Sequence, residues 1–332
     1  MTTVSVIVPC FNEENTILLL LAALREQSYP LTEMEVLIAD GHSTDRTRER
    51  IAEFQKANPQ LAIRVLDNDA RTIPSGLNTS IAQAKGEIIL RLDAHCVPQT
   101  DYVQRSVEGL EQGKGWNVGG VWDIRARAQN WMAEAIAAAA SQPLAVGDAR
   151  YRYAEKAQAV DTVPFGAFYR KLVEETGPFD ESLKSNEDYE FNARIRKAGG
   201  TVWLDPAIRS IYFARPNFLA LARQYARYGY WKWRMLRRYP GTLRLRQALP
   251  PLFVAALIGL PILSIWWPWL LIPWWVAVVS YALLLVFFAL IKALQMSKPS
   301  FVIGLPMAMA SMHLPYGGAL LWSMIHSNLS RN

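Results

Sequence analysis

The stretch "MEVLIADGHSTDRT", residues 34–47, decides the fold. It reads as a short apolar strand, Glu35 to Ala39, that stops on Asp40, turns at Gly41 and enters a helix running through about Lys56. The same plan precedes it in "VSVIVPCFNEE", residues 4–14: a strand from Val4 to Val8, a loop, then a helix from about Glu13 to Glu26, with Asn12 as its cap and two acids in its first turn. It continues downstream. "LAIRVLDND" (61–69) is a third strand, "IPSGLNTSIAQAKG" (73–86) a helix ended by Gly86, and "EIILRLDAH" (87–95) a fourth strand. Strands alternating with helices imply an α/β fold with a mostly parallel sheet, because parallel neighbours need a crossover between them. Ligands of such sheets bind beyond the carboxyl ends of the strands. Asp40 and Asp93 both lie at such ends, so the sheet brings them to one rim.

After residue 100 the pattern is less regular. "NWMAEAIAAAA" (130–140) predicts a helix with an apolar face suited to a membrane surface, and "RYAEKAQAVDTVPFGAFYRK" (152–171) predicts loop and strand. "SNEDYEFNARIRKAGG" (185–200) predicts a helix capped by Ser185 or Asn186, with Glu187 and Asp188 in its first turn and Gly199 and Gly200 as its stop.

Composition divides the chain of 332 residues. From Ala248 onward only Lys292, Lys298 and Arg331 carry charge. The apolar segments Leu249 to Trp267 and Trp269 to Leu290 each approach the ~20 residues of a spanning helix, and Pro268 between them predicts a tight hairpin. The third, Phe301 to Ile325, is broken by Pro306, Pro315 and glycines, and either spans or re-enters. The net charge of +6 is concentrated: Asn217 to Arg246 holds eight basic residues and no acid, with aromatics interleaved in "YARYGYWKWRMLRRYP". Directly before an apolar span, that pattern fits anionic headgroups and the positive-inside rule better than nucleic acid. The expected division is a catalytic-type domain over 1–216, a basic and aromatic interfacial segment over 217–246, and a membrane domain over 247–332 with about three spans. Cys10 and Cys96 give neither a disulfide framework nor zinc spacing. The N-terminal run lacks the features of a signal peptide, which places the first domain in the cytoplasm.

The chemistry-bearing residues start at Asp93 and His95. A carboxylate and an imidazole one residue apart can hold a divalent ion, Mn²⁺ or Mg²⁺, that keeps positions open for phosphate oxygens. The plainer reading is an acid ending a strand beside a surface histidine. Asp40 at the neighbouring strand end, with the polar loop Gly41 to Asp45, favours a nucleotide rim. Asp45 reads as a first-turn helix residue, and His42 has no assigned role. In the third apolar segment His313 lies at membrane depth, where an ionisable residue is a functional candidate. It either packs against neighbouring helices or meets the pyrophosphate or sugar of a lipid acceptor.

Taken together, "VSVIVPCFNEE", "DGHSTDRT", the DxD-like "DAH" and "NEDYEFNARIRKAG" resemble the motifs of family 2 glycosyltransferases of the GT-A (Rossmann-like) fold, over roughly residues 4 to 200. The tail resembles the membrane-anchored members that build bacterial polysaccharides on a lipid carrier, such as succinoglycan-type glucosyltransferases. The resemblance implies that Pro9, Phe11 and Glu13 line the nucleotide pocket, that Asp40 bonds the base, and that Arg71 faces the nucleotide or its phosphates. It implies that Asp93 and His95 are the ends of the metal motif, Asp188 the catalytic base, and Glu187 an acceptor contact. Gln224 and Arg227, in "RQYARY", loosely match an acceptor-side QxxRW motif whose Trp is here Tyr228.

The chemistry agrees with these residues. Departure of a nucleoside diphosphate needs its developing charge spread by a cation, and the acceptor hydroxyl needs an aligned base. Asp188, near a helix N-terminus, is expected to be ionised. One acid and no enzyme nucleophile imply single displacement with inversion. The expected enzyme moves a hexose from a nucleotide diphosphate sugar, UDP-linked, to a polyprenyl-pyrophosphate-linked saccharide, as a multi-pass protein of the inner membrane with its catalytic domain cytoplasmic. The alternatives are a polyprenyl-monophosphate acceptor, a processive synthase, a catalytically silent nucleotide-sugar-binding scaffold and a transporter.

Overall fold

The computed structural model describes residues 1–329; Arg331 lies outside them. Strands β1 (Val4–Cys10), β2 (Met34–Asp40), β3 (Ala62–Asp67) and β4 (Ile88–Arg91) alternate with helices α1 (Ile17–Arg25), α2 (Thr47–Ala57) and α3 (Ile73–Gln83). There follow β5 (Cys96–Pro98), α4 (Tyr102–Glu111), β6 (Asn117–Arg125), α5 (Trp131–Ala140), α6 (Pro143–Val146), β7 (Gln158–Ala159), β8 (Gly166–Tyr169), α7 (Lys171–Thr176), α8 (Glu187–Lys197) and β9 (Val202–Phe213). Helices α9 (Phe218–Arg238), α10 (Leu245–Leu263), α11 (Leu271–Gln295) and α12 (Phe301–Leu329) complete the described chain.

The strands form one sheet in the order β3-β2-β1-β4-β8-β6-β9-β5, with β7 against β9. Strands β1 to β4 pair in parallel. The pairs β4–β8, β6–β8, β5–β9 and β7–β9 are antiparallel. The sheet is therefore mixed rather than mostly parallel. The link from β4 into β5 is too short for the crossover a parallel neighbour requires, and β8 takes the place beside β4 running the other way.

The chain forms two compact units: Met1–Asp123 with Ala149–Tyr212, and Ile124–Asp148 with the chain from Phe213 onward. In the first, side chains alternate across the sheet with period two. Val6, Val8, Val36, Ile38, Ile88 and Leu90 pack on α1, α2 and α4. Ile7, Leu37 and Ile89 pack on the opposite face with Leu77 of α3 and Phe191 and Ile195 of α8. The alternation sends Arg91 to the α8 side.

In the second unit the side chain of Asn217 caps α9 by accepting from the Ala220 amide at 2.8 Å. This helix buries Leu221, Gly229, Met235 and Leu236 and exposes Arg223, Arg227, Arg234, Arg237 and Arg238. A Cβ on Gly229 would come within 2.1 Å of the Tyr316 carbonyl, so only glycine lets α9 approach α12 there. Helix α5 does not lie out on a surface. Five of its six alanines are buried, Ala135 faces Gly304 of α12, and Glu134 pairs with Lys298 at 2.6 Å. Leu245–Leu263 and Pro268–Gln295 are each long and apolar enough to cross a membrane, and Trp266, Trp267, Trp269 and Trp275 are exposed around the turn between them. The third apolar segment is one helix of 29 residues running through both prolines, not a re-entrant loop.

Candidate active site

The carboxyl ends of the parallel strands form a rim through their register, which aligns Cys10 with Asp40 and Asp40 with Asp67. The loops after β1 and β2 are laced together. The amides of Asn12, Glu13 and Glu14 donate to Ser43 Oγ, Thr47 Oγ1 and Asp45 Oδ2 at 2.9, 2.8 and 3.1 Å, and the Thr44 amide donates to Asn12 Oδ1 at 2.8 Å. This is why α1 starts at Ile17 rather than Glu13: the "FNEE" amides are spent on the neighbouring loop, and Asn12 is no helix cap. Asp45 also accepts from the Thr47 amide at 3.0 Å, so it serves both loops.

Backbone strain gathers at the same rim. Asn12, His42 and Arg71, one after each of the first three strands, have φ of 54°, 59° and 54°, and Asn186, just before α8, has 67°. Non-glycine residues adopt this region at a cost, and such residues cluster at functional sites. The turn brings Arg71, Phe11 and Gly41 together: a Cβ on Gly41 would sit 3.5 Å from the Phe11 ring and 3.6 Å from Arg71 Cα. Phe11 is 52% exposed, Arg71 is exposed and Pro9 half-buried. His42, which has no role in the sequence reading, bonds Asp69 at 2.8 Å.

Asp93 and His95 lie in the turn between β4 and β5, half-buried. His95 Nδ1 is 3.0 Å from Glu13 Oε1. With Nδ1–H donating to that carboxylate, the lone pair falls on Nε2. Among the described residues no three His, Cys, Asp or Glu side chains converge as a closed metal cage. An Asp oxygen with an imidazole nitrogen is instead the donor set of an open site, one that diphosphate oxygens complete. The residues present fit a divalent ion on those terms.

Arg91 links this turn to α8. Its Nη2 donates to Asp93 Oδ1 at 3.3 Å and to Glu187 Oε1 at 2.8 Å. Asp188, the next residue, lines a small cavity with Arg91, Asn117 and Asn192. Burial raises the Asp188 carboxyl to about 7, the neighbouring Glu187 charge adds to this, and Arg91 opposes both. The helix N-terminus does not dominate, contrary to the expectation of a plainly ionised acid.

Four expected contact residues have their polar atoms committed elsewhere. Asp40, expected to bond the base, is fully buried. It accepts from the Ser43 amide at 3.0 Å and from Ser43 Oγ and Arg48 Nε at 2.5 Å each. Glu187, expected to face an acceptor, is turned inward on Arg91, because the first residue of α8 sits above the face to which β4 sends that side chain. In the second unit, His313 accepts from the Tyr281 hydroxyl at 3.0 Å and donates from Nε2 to the Ala145 carbonyl at 3.1 Å, the role of a packed helix residue. Gln224, also in that unit, is buried; it donates to the Tyr228 hydroxyl at 2.7 Å and accepts from Arg215 at 3.2 Å. Arg227 is exposed on α9.

The sequence reading passed over Arg91 and the aromatic cluster beside His95. Register pairs Cys96 with Tyr212, whose ring stacks on Trp122 with centroids 4.2 Å apart and lies 6.3 Å from the His95 ring. A cation inside the apolar run 88–92 was the available signal for Arg91.

The family model for Glycosyl transferase family 2 matches residues 5–177. A Methanococcus voltae protein, dolichyl N-acetyl-alpha-D-glucosaminyl phosphate 3-beta-D-2,3-diacetamido-2,3-dideoxy-beta-D-glucuronosyltransferase, is 32% identical over 72% of this chain and 75% of its own. The succinoglycan biosynthesis protein ExoA of Rhizobium meliloti is 28% identical over 78% of this chain and 79% of its own. The chain belongs to glycosyl transferase family 2. Its fold is that of a Pyrobaculum calidifontis mannosyltransferase solved with GDP-Man and Mn²⁺, at TM-score 0.63 and 20% identity, over 97% of this chain and 87% of that one. It is accordingly a glycosyltransferase with a GT-A domain and C-terminal helices apolar enough to span a membrane.

Proposed function

We propose that the enzyme inverts configuration while moving a hexose from a nucleotide diphosphate sugar, UDP-linked, to a polyprenyl-pyrophosphate-linked saccharide in polysaccharide biosynthesis. The single observation that carries this reading is the rim itself: the Asp93–His95 turn joined through Arg91 to the first turn of α8, where Asp188 sits. Two relatives support a lipid-linked saccharide acceptor and a polysaccharide setting. One is named for transfer in a β-linkage to a dolichyl phosphate-linked sugar, and the other for succinoglycan biosynthesis.

In this reading Asp93 and His95 hold Mn²⁺ or Mg²⁺, which when bound neutralises the charge of the departing diphosphate. Phe11, Pro9, Glu13 and Arg71 line the donor pocket, and Asp40 stiffens its loop from beneath. Ionised Asp188 takes the proton of the acceptor hydroxyl as that oxygen attacks the anomeric carbon. With no enzyme nucleophile in the step, an α-linked donor gives a β-linked product. The domain over 1–216 faces the cytoplasm, the basic segment 217–246 lies on anionic lipid with Arg223 and Arg227 outward, and residues 247–332 anchor the enzyme as a multi-pass inner-membrane protein.

A polyprenyl-monophosphate acceptor is the second reading. It is favoured by a 32% match over 114 residues to an undecaprenyl-phosphate 4-deoxy-4-formamido-L-arabinose transferase of Pectobacterium carotovorum. The purified enzyme, given UDP-sugars and either a polyprenyl-pyrophosphate-linked saccharide or a bare polyprenyl phosphate, should glycosylate the first. Product on the second alone would replace the proposal with its rival.

A further inference from the structure

Arg91 is an expensive residue in its place. It sits on a central strand with its side chain 7% exposed, where an aliphatic side chain would be the ordinary occupant. Three carboxylates face it: Asp93, Glu187 and Asp188. Against the cost of burial, their charges hold the guanidinium firmly protonated. Its hydrogen bonding is lopsided. Nη2 serves both Asp93 and Glu187, whereas Nε and Nη1 are buried without a hydrogen-bond partner among the described residues. Arg91 lines the same small cavity as Asp188, Asn117 and Asn192. Asn117 donates to Asn192 at 2.7 Å, and Asn192 donates to Thr162 Oγ1 at 2.9 Å and to the Val163 carbonyl at 3.0 Å. The polar wall behind α8 is thus held in place, and Arg91 is the piece that reaches the donor-side turn.

A buried ion cluster of this kind is seldom the most stable solution, since packed apolar side chains often match or exceed it. Its use here lies in geometry. The donor-side acid and the base come from distant parts of the sequence, and transfer depends on their relative position to within about an ångström. We infer that Arg91 is a positioning residue: by tying Asp93 to Glu187 through one nitrogen, it fixes the start of α8 against the donor-side turn and so aligns Asp188 with the sugar to be moved. This rests on the reading of Asp188 as the base. Arg91 touches neither substrate in this scheme; it acts through the residues it holds.

The test compares full-length wild type with Arg91→Lys, Arg91→Met, Glu187→Gln and the double variant Arg91→Met/Glu187→Gln. Steady-state transfer is measured across pH, with donor binding measured separately. Loss of the tie should lower kcat by about a hundredfold in Arg91→Met, the scale of a misplaced reacting group, with donor affinity within about threefold. Arg91→Lys keeps the charge but not the planar guanidinium that places Nη2, and should fall between. The groups facing Asp188 are Glu187, Arg91 and Asp93, so the acid limb of kcat should move to higher pH in Arg91→Met and to lower pH in Glu187→Gln. A purely structural role would change the yield of folded protein but not kcat per active molecule or the pH profile. If Arg91→Met does not fold, the double variant, with both charges removed, and Arg91→Lys carry the comparison. Wild-type kcat and pH profile in the Arg91 variants that fold would overturn the inference. Asp188→Asn, run alongside, separates the two claims: turnover there refutes the base itself, whereas a dead Asp188→Asn with unperturbed Arg91 variants refutes only the positioning role.

Discussion

Asp188→Asn should stabilise the protein as it stops transfer, and the gain should grow with pH. Burial and the Glu187 charge raise the Asp188 carboxyl from 3.8 to about 7. Between those values the folded state holds a proton that the unfolded chain has released, so stability falls as pH rises through the window and the full penalty applies above about 7. Roughly three units at ~1.4 kcal/mol each give about 4 kcal/mol at pH 8, against about 2 kcal/mol at pH 5. Asparagine keeps the side-chain oxygen that accepts the Tyr189 amide and carries no charge to desolvate. The assay is thermal or urea unfolding of the ligand-free enzyme in detergent at both pH values, wild type against variant. A stability difference that does not widen from pH 5 to pH 8 would refute the reasoning, since a normally ionised Asp188 has no penalty to relieve.

Five further outcomes follow from named contacts. Transfer should rise with pH through about 7 as Asp188 ionises, seen in a kcat profile taken at saturating metal. His95→Ala should weaken Mn²⁺ binding by more than about tenfold, read by paramagnetic resonance; Glu13→Ala should cost about 10- to 100-fold by freeing the imidazole that Glu13 orients. His313→Ala should lower unfolding stability by about 1–3 kcal/mol through the Tyr281 hydroxyl and Ala145 carbonyl it leaves unpaired, with turnover per folded molecule unchanged. Gly229→Leu should destabilise the second unit by about 1–3 kcal/mol or more, because the new side chain must displace the Tyr316 backbone.

The parallel half of the sheet was legible because its strands and helices alternate with short glycine and acid turns, and each element lies near where the pattern puts it. In the antiparallel half β7 and β8 were not, since strands of two to four residues carry too few side chains to show a period. The site was legible as a set of strand-end acids and a helix start. What sequence could not supply was direction. Asp40 and Glu187 stand at the positions the motifs mark, but one is sunk beneath its own loop and the other is turned onto Arg91. Likewise "FNEE" has the composition of a helix cap, yet its amides serve a loop about thirty residues away. Such pairings are tertiary, and local propensity does not encode them. Residues 124–148, kept with the first domain in the sequence division, cluster with the C-terminal helices instead; an alanine-rich helix gives no hint of which neighbour will cover it.

The most direct test of the account is one transfer assay. Purified wild type and Asp188→Asn are given labelled UDP-sugars, Mn²⁺ and a polyprenyl-pyrophosphate-linked saccharide in membranes, and label in the lipid fraction is followed beside donor binding. Wild type should label the lipid by a single β-linked residue, and Asp188→Asn should bind the donor as wild type does and label nothing. Equal labelling by both proteins would contradict the assignment of the base on which the mechanism stands.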